Sequence, residues 1–345
     1  MNSPWREHNI NLNSHNAFRL WNGGLFNQLI TLEIAVGISY FLKTPIYIHD
    51  MKKLPSLSES FENKINYITD FIDTSSFDNV FFSKKVIEHP SSKQCHIKNL
   101  MNTFIPVSEE DEKIQQFAEG RDKLIIDKNK FYYFDNNLSY YSIMFYNRTS
   151  FFDKYLKQLK FKQEYIDLAN AISSSIGGFS GVHLRQTDFA QTIYSVTEQE
   201  YDDAINFLKI NNSLIITCTD NLKSSIAIDD GRVLYIDNLI KDNFLNEFKQ
   251  LSITSKISFD LICMLIMCNA KDFIGTIGST YSGLIHRNIN QKNNNTHHWK
   301  NMGDSNQVDG LPFSWNSYDT ISIGKKLWWR EWKESYMRDC DVSLV

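Results

Sequence analysis

The sequence predicts an α/β protein with a parallel sheet, on two observations. Beyond the breaker pair Gly177-Gly178, short apolar runs alternate with helical patterns, and turn residues bound the runs. A chain of 345 residues is also too long for one ordinary core, and suits two domains of roughly 150 to 170 residues each. Strands are expected at 180–184, 214–218, 233–236 and 273–275, with helices at about 198–208, 243–269 and 281–289. Strands alternating with helices mean parallel pairing, with the sheet covered on both faces. The glycine pair marks the expected domain boundary, giving 1–175, 176–320 and a C-terminal helical segment, 321–345, that packs back on the body.

The N-terminal half carries one strong element. Leu25, Leu29, Leu32 and Val36 recur at helical spacing after Trp21-Asn22-Gly23-Gly24, and Ile30, Ile34 and Ile38 fill a second face. That pattern predicts a helix buried on most sides. Lys43-Thr44-Pro45 ends it, and Ile46-Tyr47-Ile48 reads as a strand. Phe81-Phe82 and Phe131-Tyr132-Tyr133-Phe134 read as further strands among polar helices or loops, and 151–175 as one or two helices. Near the end, Trp328, Trp332 and Tyr336 recur at every fourth position beside Trp329. Such a stripe is a packing face or, alternatively, a surface on which an acceptor sugar stacks.

Composition excludes several classes. Hydrophobic content of 42% and charged content of 22% describe a globular chain, neither disordered nor membrane-spanning. A net charge of −4 leaves no basic surplus to neutralise nucleic-acid phosphates. Cys95, Cys218, Cys263, Cys268 and Cys340 are odd in number and lack CxxC spacing, against a disulfide framework or a zinc cluster. The N-terminus has no apolar signal region, and the longest apolar run, 261–268, is too short for a bilayer. These features predict a cytoplasmic chain with no transmembrane segment.

Three loops carry chemistry. The first is Gly23-Gly24-Leu25-Phe26-Asn27-Gln28, opening the first helix. Paired glycines permit close backbone approach, a helix N-terminus offers N–H groups, and Asn27 adds an amide that donates and accepts. A plain tight turn into a helix fits as well. The second is His183-Leu184-Arg185-Gln186-Thr187-Asp188, where His183 and Arg185 leave one face of a strand end. Ligands of open α/β sheets bind at the carboxyl ends of strands; a structural Arg185–Asp188 pair is the plainer alternative. The third is Phe273-Ile274-Gly275-Thr276-Ile277-Gly278-Ser279-Thr280-Tyr281-Ser282, where backbone N–H groups and hydroxyls suit phosphate oxygens. An ordinary strand-to-helix turn with a hydroxyl cap also fits. Neither a GxGxxG loop nor a GxxxxGK[ST] loop occurs, and Asp339-Cys340-Asp341 lies in the tail. Phosphate charge is therefore expected to meet Arg185, His183 and backbone dipoles, without a metal.

In this order the three loops resemble the protein O-fucosyltransferase group and its relatives among the α1,2- and α1,6-fucosyltransferases. The resemblance rests on GGLFNQ, HLRQTD and FIGTIGSTYSGLIHR, with Trp329-Arg330-Glu331-Trp332 similar to the ending of bacterial members. It implies a GT-B fold of two Rossmann-like domains, with the acceptor on the N-terminal side and the nucleotide sugar in the cleft. It further implies inverting, metal-independent transfer of fucose, or a related deoxyhexose, from GDP-fucose to a glycan or protein hydroxyl, with no cofactor. On that resemblance Asn27 lies near the pyrophosphate and the fucose, and His183 and Arg185 hold the nucleotide and its β-phosphate. Ser279, Thr280 and Tyr281 match the late phosphate loop, and Asp260 matches an acidic residue that contacts the guanine. Tyr281 stands where Phe is usual, and Gly23-Gly24 where several relatives have Gly-Arg. Asp220, at a strand end, is expected to face the nucleotide, and Asp188 is a candidate base or a partner of Arg185. The loops are blind to the base, so another nucleotide sugar fits them too. A non-catalytic sugar- or partner-binding module on the same fold is the remaining alternative.

Overall fold

The computed structural model describes residues 16–20, 24–42, 44–49, 67–77, 79–83, 96–97, 133–134, 160–185, 198–209, 213–220, 231–276, 279, 281–282, 284–285, 288, 295–298 and 313–314. The described residues fall into two compact units, one ending at Lys162 and the other beginning at Gln163. The stripe of Trp328, Trp332 and Tyr336 lies outside the described residues.

In the N-terminal unit, β1 (Asn16–Arg19) leads into α1 (Leu25–Leu42) and β2 (Ile46–His49). β3 (Val80–Ser83), β4 (His96–Ile97) and β5 (Tyr133–Phe134) follow, and the strands order as β3-β2-β1-β5-β4, all parallel. Along α1, Leu25, Leu29, Leu32 and Val36 are buried, as the helical spacing predicts, and Gln28 and Ser39 are buried with them. Pro45 cannot continue the helix, and Ile46 opens β2 directly after it. Asn16 Nδ2 donates to Thr44 Oγ1 at 2.7 Å, tying the start of β1 to the turn before β2.

The second unit starts with α2 (Gln163–Ile176). Its buried residues Tyr165, Leu168, Ala169 and Ile172 keep helical spacing, which makes one apolar stripe. Gly177, at φ +79°, ends the helix in the left-handed region that glycine enters without a steric penalty. Then come β6 (Phe179–Leu184), α3 (Glu198–Lys209), β7 (Leu214–Thr219) and β8 (Val233–Tyr235). α4 (Ile236–Asn243), α5 (Leu245–Lys249), α6 (Lys256–Met267), β9 (Asp272–Gly275), β10 (Asn295–His298) and β11 (Phe313–Ser314) follow, and the described residues 281, 282, 284, 285 and 288 are helical.

One long helix was expected over 243–269, and the chain breaks it. α5 stops at Lys249, and Ser255 caps a new helix by accepting from the Ser258 N–H while Ser258 Oγ accepts from the Ser255 N–H. A hydroxyl that bonds nearby backbone competes with helix continuation, as Ser255 does here, and Ser252 is drawn away by donating through its N–H and hydroxyl to the Glu164 carboxylate.

The second sheet runs β11-β10-β9-β6-β7-β8, parallel throughout except for the β10–β11 pair. Counted within the unit this is the order 3-2-1-4-5-6 of a doubly wound Rossmann-type sheet. Every residue of β6 is buried, as expected for a central parallel strand covered on both faces. Val182, Leu184, Ile215 and Ile274 pack against Tyr201, Ala204, Ile205 and Leu208 of α3. On the other face, a Cβ on Gly181 would lie 3.0 Å from the Phe273 ring and 3.1 Å from Met267 Sδ, so the strand needs glycine to pass this close. Among the described residues, no helix is long and apolar enough to cross a membrane.

Candidate functional site

The strand order reverses between β6 and β9, which lie side by side. At such a switch point the loops leaving two neighbouring strands part in opposite directions and open a crevice at their carboxyl ends. Two sequence-predicted loops leave from here: Leu184-Arg185 after β6, and Thr276 to Ser282 after β9. Thr276 joins them. Its hydroxyl accepts from the Arg185 N–H and donates to the His183 carbonyl, each at 2.9 Å. Both backbone groups at the end of β6 are thereby satisfied by one side chain from the next loop.

His183 stands on the β6 face opposite the α3 cluster, and 4% of its surface is exposed. Its Nδ1 lies 2.7 Å from Ser282 Oγ, and its ring centroid lies 4.5 Å from that of Tyr281. Burial, and then the Arg185 charge, push its pKa down to about 3. The ring is therefore neutral across the physiological range.

Arg185 lies just past β6, with its side chain 36% exposed, and its Nε lies 3.3 Å from Asp220 Oδ2 at the end of β7. The parallel register brings Leu184 beside Thr219, and so Arg185 beside Asp220; Asp188, the partner offered by sequence proximity, lies outside the described residues. Behind this pair, Tyr281 Oη and Cys218 Sγ are 3.5 Å apart. Burial pushes the Cys218 thiol up to about 12 and raises the Tyr281 hydroxyl as well.

A second charged group gathers at the start of α6. Lys256 and Asp260 form an ion pair one turn apart, with side chains 29% and 38% exposed. Asp260 is recessed rather than covered: its surroundings raise its pKa, while Lys256 and Arg185 act to lower it. Burial would lower the Lys256 pKa, but Asp260 overcomes it and holds the ammonium charged. Burial likewise raises Asp237, on the first turn of α4, against the charges of Lys256 and Lys241.

The structure thus gathers His183, Arg185, Asp220, Ser279, Tyr281 and Asp260 in one unit, at or near the strand ends. Ser279 is buried, its N–H donating to the Thr276 carbonyl at 3.3 Å. Gly24 and Asn27 belong to the N-terminal unit, Gly24 just before α1 and Asn27, half-buried, in its first turn. Gly23, Asp188 and Thr280 lie outside the described residues. Sequence reasoning did not single out Thr276, Ser282 or Lys256. The first two stood inside the third loop, and Lys256 was recognisable only as a cation four residues before Asp260.

No protein-family model matches the chain, and no curated protein matches it in sequence. Its fold is similar to crystal structures of NodZ alpha-1,6-fucosyltransferase. The one co-crystallized with GDP superposes with a TM-score of 0.51 at 11% identity, over 84% of this chain and 97% of that one. The one soaked with GDP-fucose gives 0.51 at 11% identity, over 84% and 98%. Fucosyltransferase NodZ from Bradyrhizobium gives 0.51 at 12% identity, over 87% and 98%. The likeness is one of fold: the chain has the mixed α/β, parallel-sheet fold of these fucosyltransferases.

Proposed function

We propose that this chain is an inverting, metal-independent glycosyltransferase that moves fucose, or a related deoxyhexose, from GDP-fucose to a hydroxyl of a glycan or protein. The observation that carries the reading is the meeting of Arg185, His183 and the Thr276–Ser282 loop at the switch point of the second sheet. Sharing a fold with proteins crystallised with GDP and soaked with GDP-fucose supports the donor class. A GT-B arrangement of two Rossmann-like domains belongs to the same proposal.

Cleaving the sugar–phosphate bond leaves positive charge on the sugar and one more negative charge on the departing β-phosphate. On this reading Arg185 receives that charge through guanidinium N–H groups, a charge-assisted interaction that strengthens as the bond breaks. Asp220 fixes the guanidinium from the β7 side. His183 orients the diphosphate; with a pKa near 3 the ring is too weak a base to take the acceptor proton. The hydroxyl of Ser279, a residue whose own N–H is held by the Thr276 carbonyl, binds phosphate oxygens together with the backbone N–H groups of Thr280 and Tyr281. Gly23 and Gly24 let the backbone approach, and Asn27 holds the pyrophosphate and the fucose. Asp260 contacts the base of the nucleotide.

The test is thermal stabilisation of the purified protein by GDP, GDP-fucose and UDP in EDTA, beside Arg185→Ala. A ligand that binds only the native state raises the melting temperature by mass action. Stabilisation by GDP and GDP-fucose alone, lost in the variant, supports the reading. A larger shift with UDP reassigns the donor, and no shift with any nucleotide removes the transferase reading.

A further inference from the structure

Ser282 is fully buried, and among the described residues its hydroxyl meets one polar partner, Nδ1 of His183 at 2.7 Å. A serine hydroxyl carries a single proton, and a buried donor left unmet is costly. If Nδ1 carried a hydrogen and donated, the Ser282 proton would have no acceptor among the described residues. If the hydroxyl donates, both groups are satisfied. A neutral imidazole has one N–H, so a ring that accepts at Nδ1 carries its hydrogen on Nε2.

We infer that Ser282 is a positioning residue that donates to Nδ1 and holds His183 as the neutral Nε2–H tautomer. The ring then offers an uncharged N–H donor at the carboxyl end of β6. Tyr281 fixes the plane of this ring: its own ring packs on His183 at 4.5 Å, and its hydroxyl lies 3.5 Å from Cys218 Sγ of β7. Two consecutive helical residues after β9 thus set the tautomer and the tilt of a histidine on β6. The use of the Nε2–H toward a phosphate oxygen rests on the nucleotide-sugar reading above, whereas the tautomer does not.

Among the described residues, the charge that bears on the ring is that of Arg185, itself paired with Asp220, while Cys218, beyond Tyr281, is held as the neutral thiol by burial. All three leave the ring neutral near pH 7.

Long-range ¹H–¹⁵N spectra of the full chain, labelled at its nine histidines, read the tautomer without any ligand. The His183 signals are identified by their loss in His183→Gln. The expected result is an unprotonated Nδ1 and a protonated Nε2 near pH 7. Protonation at Nδ1, or at both nitrogens, overturns the inference. In Ser282→Ala the expected result is a mixture of tautomers, with GDP binding weakened about five- to tenfold, the loss typical of one hydrogen bond. The donor KM should rise more than kcat falls, and Ser282→Thr should restore the wild-type tautomer. An unchanged tautomer in Ser282→Ala, with its melting temperature showing it folded, also overturns the role of Ser282. Wild-type protein that shows the Nε2–H tautomer but binds no GDP sinks the nucleotide-sugar reading and leaves the tautomer assignment standing.

Discussion

Nε of Arg185 lies 3.3 Å from Oδ2 of Asp220, joining the residue after β6 to the residue after β7. Both side chains keep solvent contact, at 36% and 25% exposure, so the pair contributes only about 0–1 kcal/mol to stability. Its effect lies in aiming the guanidinium. Arg185→Ala should lower turnover by roughly 10²- to 10³-fold, the size of losing one donor to a developing anion. Asp220→Ala should leave the melting temperature nearly unchanged while lowering turnover by a smaller factor. Steady-state kinetics beside thermal melts check both, and wild-type turnover in Arg185→Ala would remove the assignment.

His183 makes the fold sensitive to acid. Its pKa falls from 6.5 to about 3 on folding, so between those values the unfolded chain binds the extra proton and the native one does not. The stability gained from keeping the ring neutral is complete above about pH 6.5 and declines as pH falls toward 3, by up to about 1.4 kcal/mol per pH unit for one proton. Denaturant titrations between pH 7 and 4 should show this slope, reduced in His183→Gln. Equal slopes in the two proteins would show that other groups set it.

Thr276 holds the site at its base, since one hydroxyl serves both the Arg185 N–H and the His183 carbonyl. Thr276→Val keeps the shape and removes both bonds, and should cost about 2 kcal/mol or more for leaving buried polar groups unmet. Thr276→Ser should recover most of it. Urea unfolding of the two variants distinguishes the hydroxyl from the methyl.

Gly181 tests how tightly β6 is packed. A Cβ there would meet the Phe273 ring at 3.0 Å, Met267 Sδ at 3.1 Å and Ala270 Cβ at 3.3 Å. The thioether can shift, but the ring and the alanine sit on β9 and on the turn before it. Gly181→Ala should therefore destabilise by about 1–3 kcal/mol through overpacking. An unchanged unfolding midpoint would mean that β6 and β9 separate more easily than their burial indicates.

The class of the second sheet was legible because its strands are short apolar runs between breakers. Ranges of 214–218 and 273–275 were expected, and β7 and β9 occupy Leu214–Thr219 and Asp272–Gly275. Fully buried parallel strands need an unbroken apolar run, which is a local property of the chain. The break between α5 and α6 was not read, because the apolar periodicity continues across it and the capping serines decide it locally. The positions of the candidate residues were legible for the same reason as the strands: His183 lies near the end of one strand and Arg185 just past it, and the hydroxyl-rich stretch follows another.

By itself, then, the sequence determined the alternation of strands and helices, the residues at the strand ends and the chemistry available to them. Which of those ends meet was decided only by the tertiary structure. The order β9-β6-β7 sets Thr276 under His183 and Arg185, and turns Arg185 to Asp220, 35 positions further along the chain. It also closes Ser282 onto Nδ1 across 99 positions. Local patterns follow from backbone geometry and side-chain burial, whereas these pairings depend on which strands share hydrogen bonds, a choice settled by packing across the whole sheet.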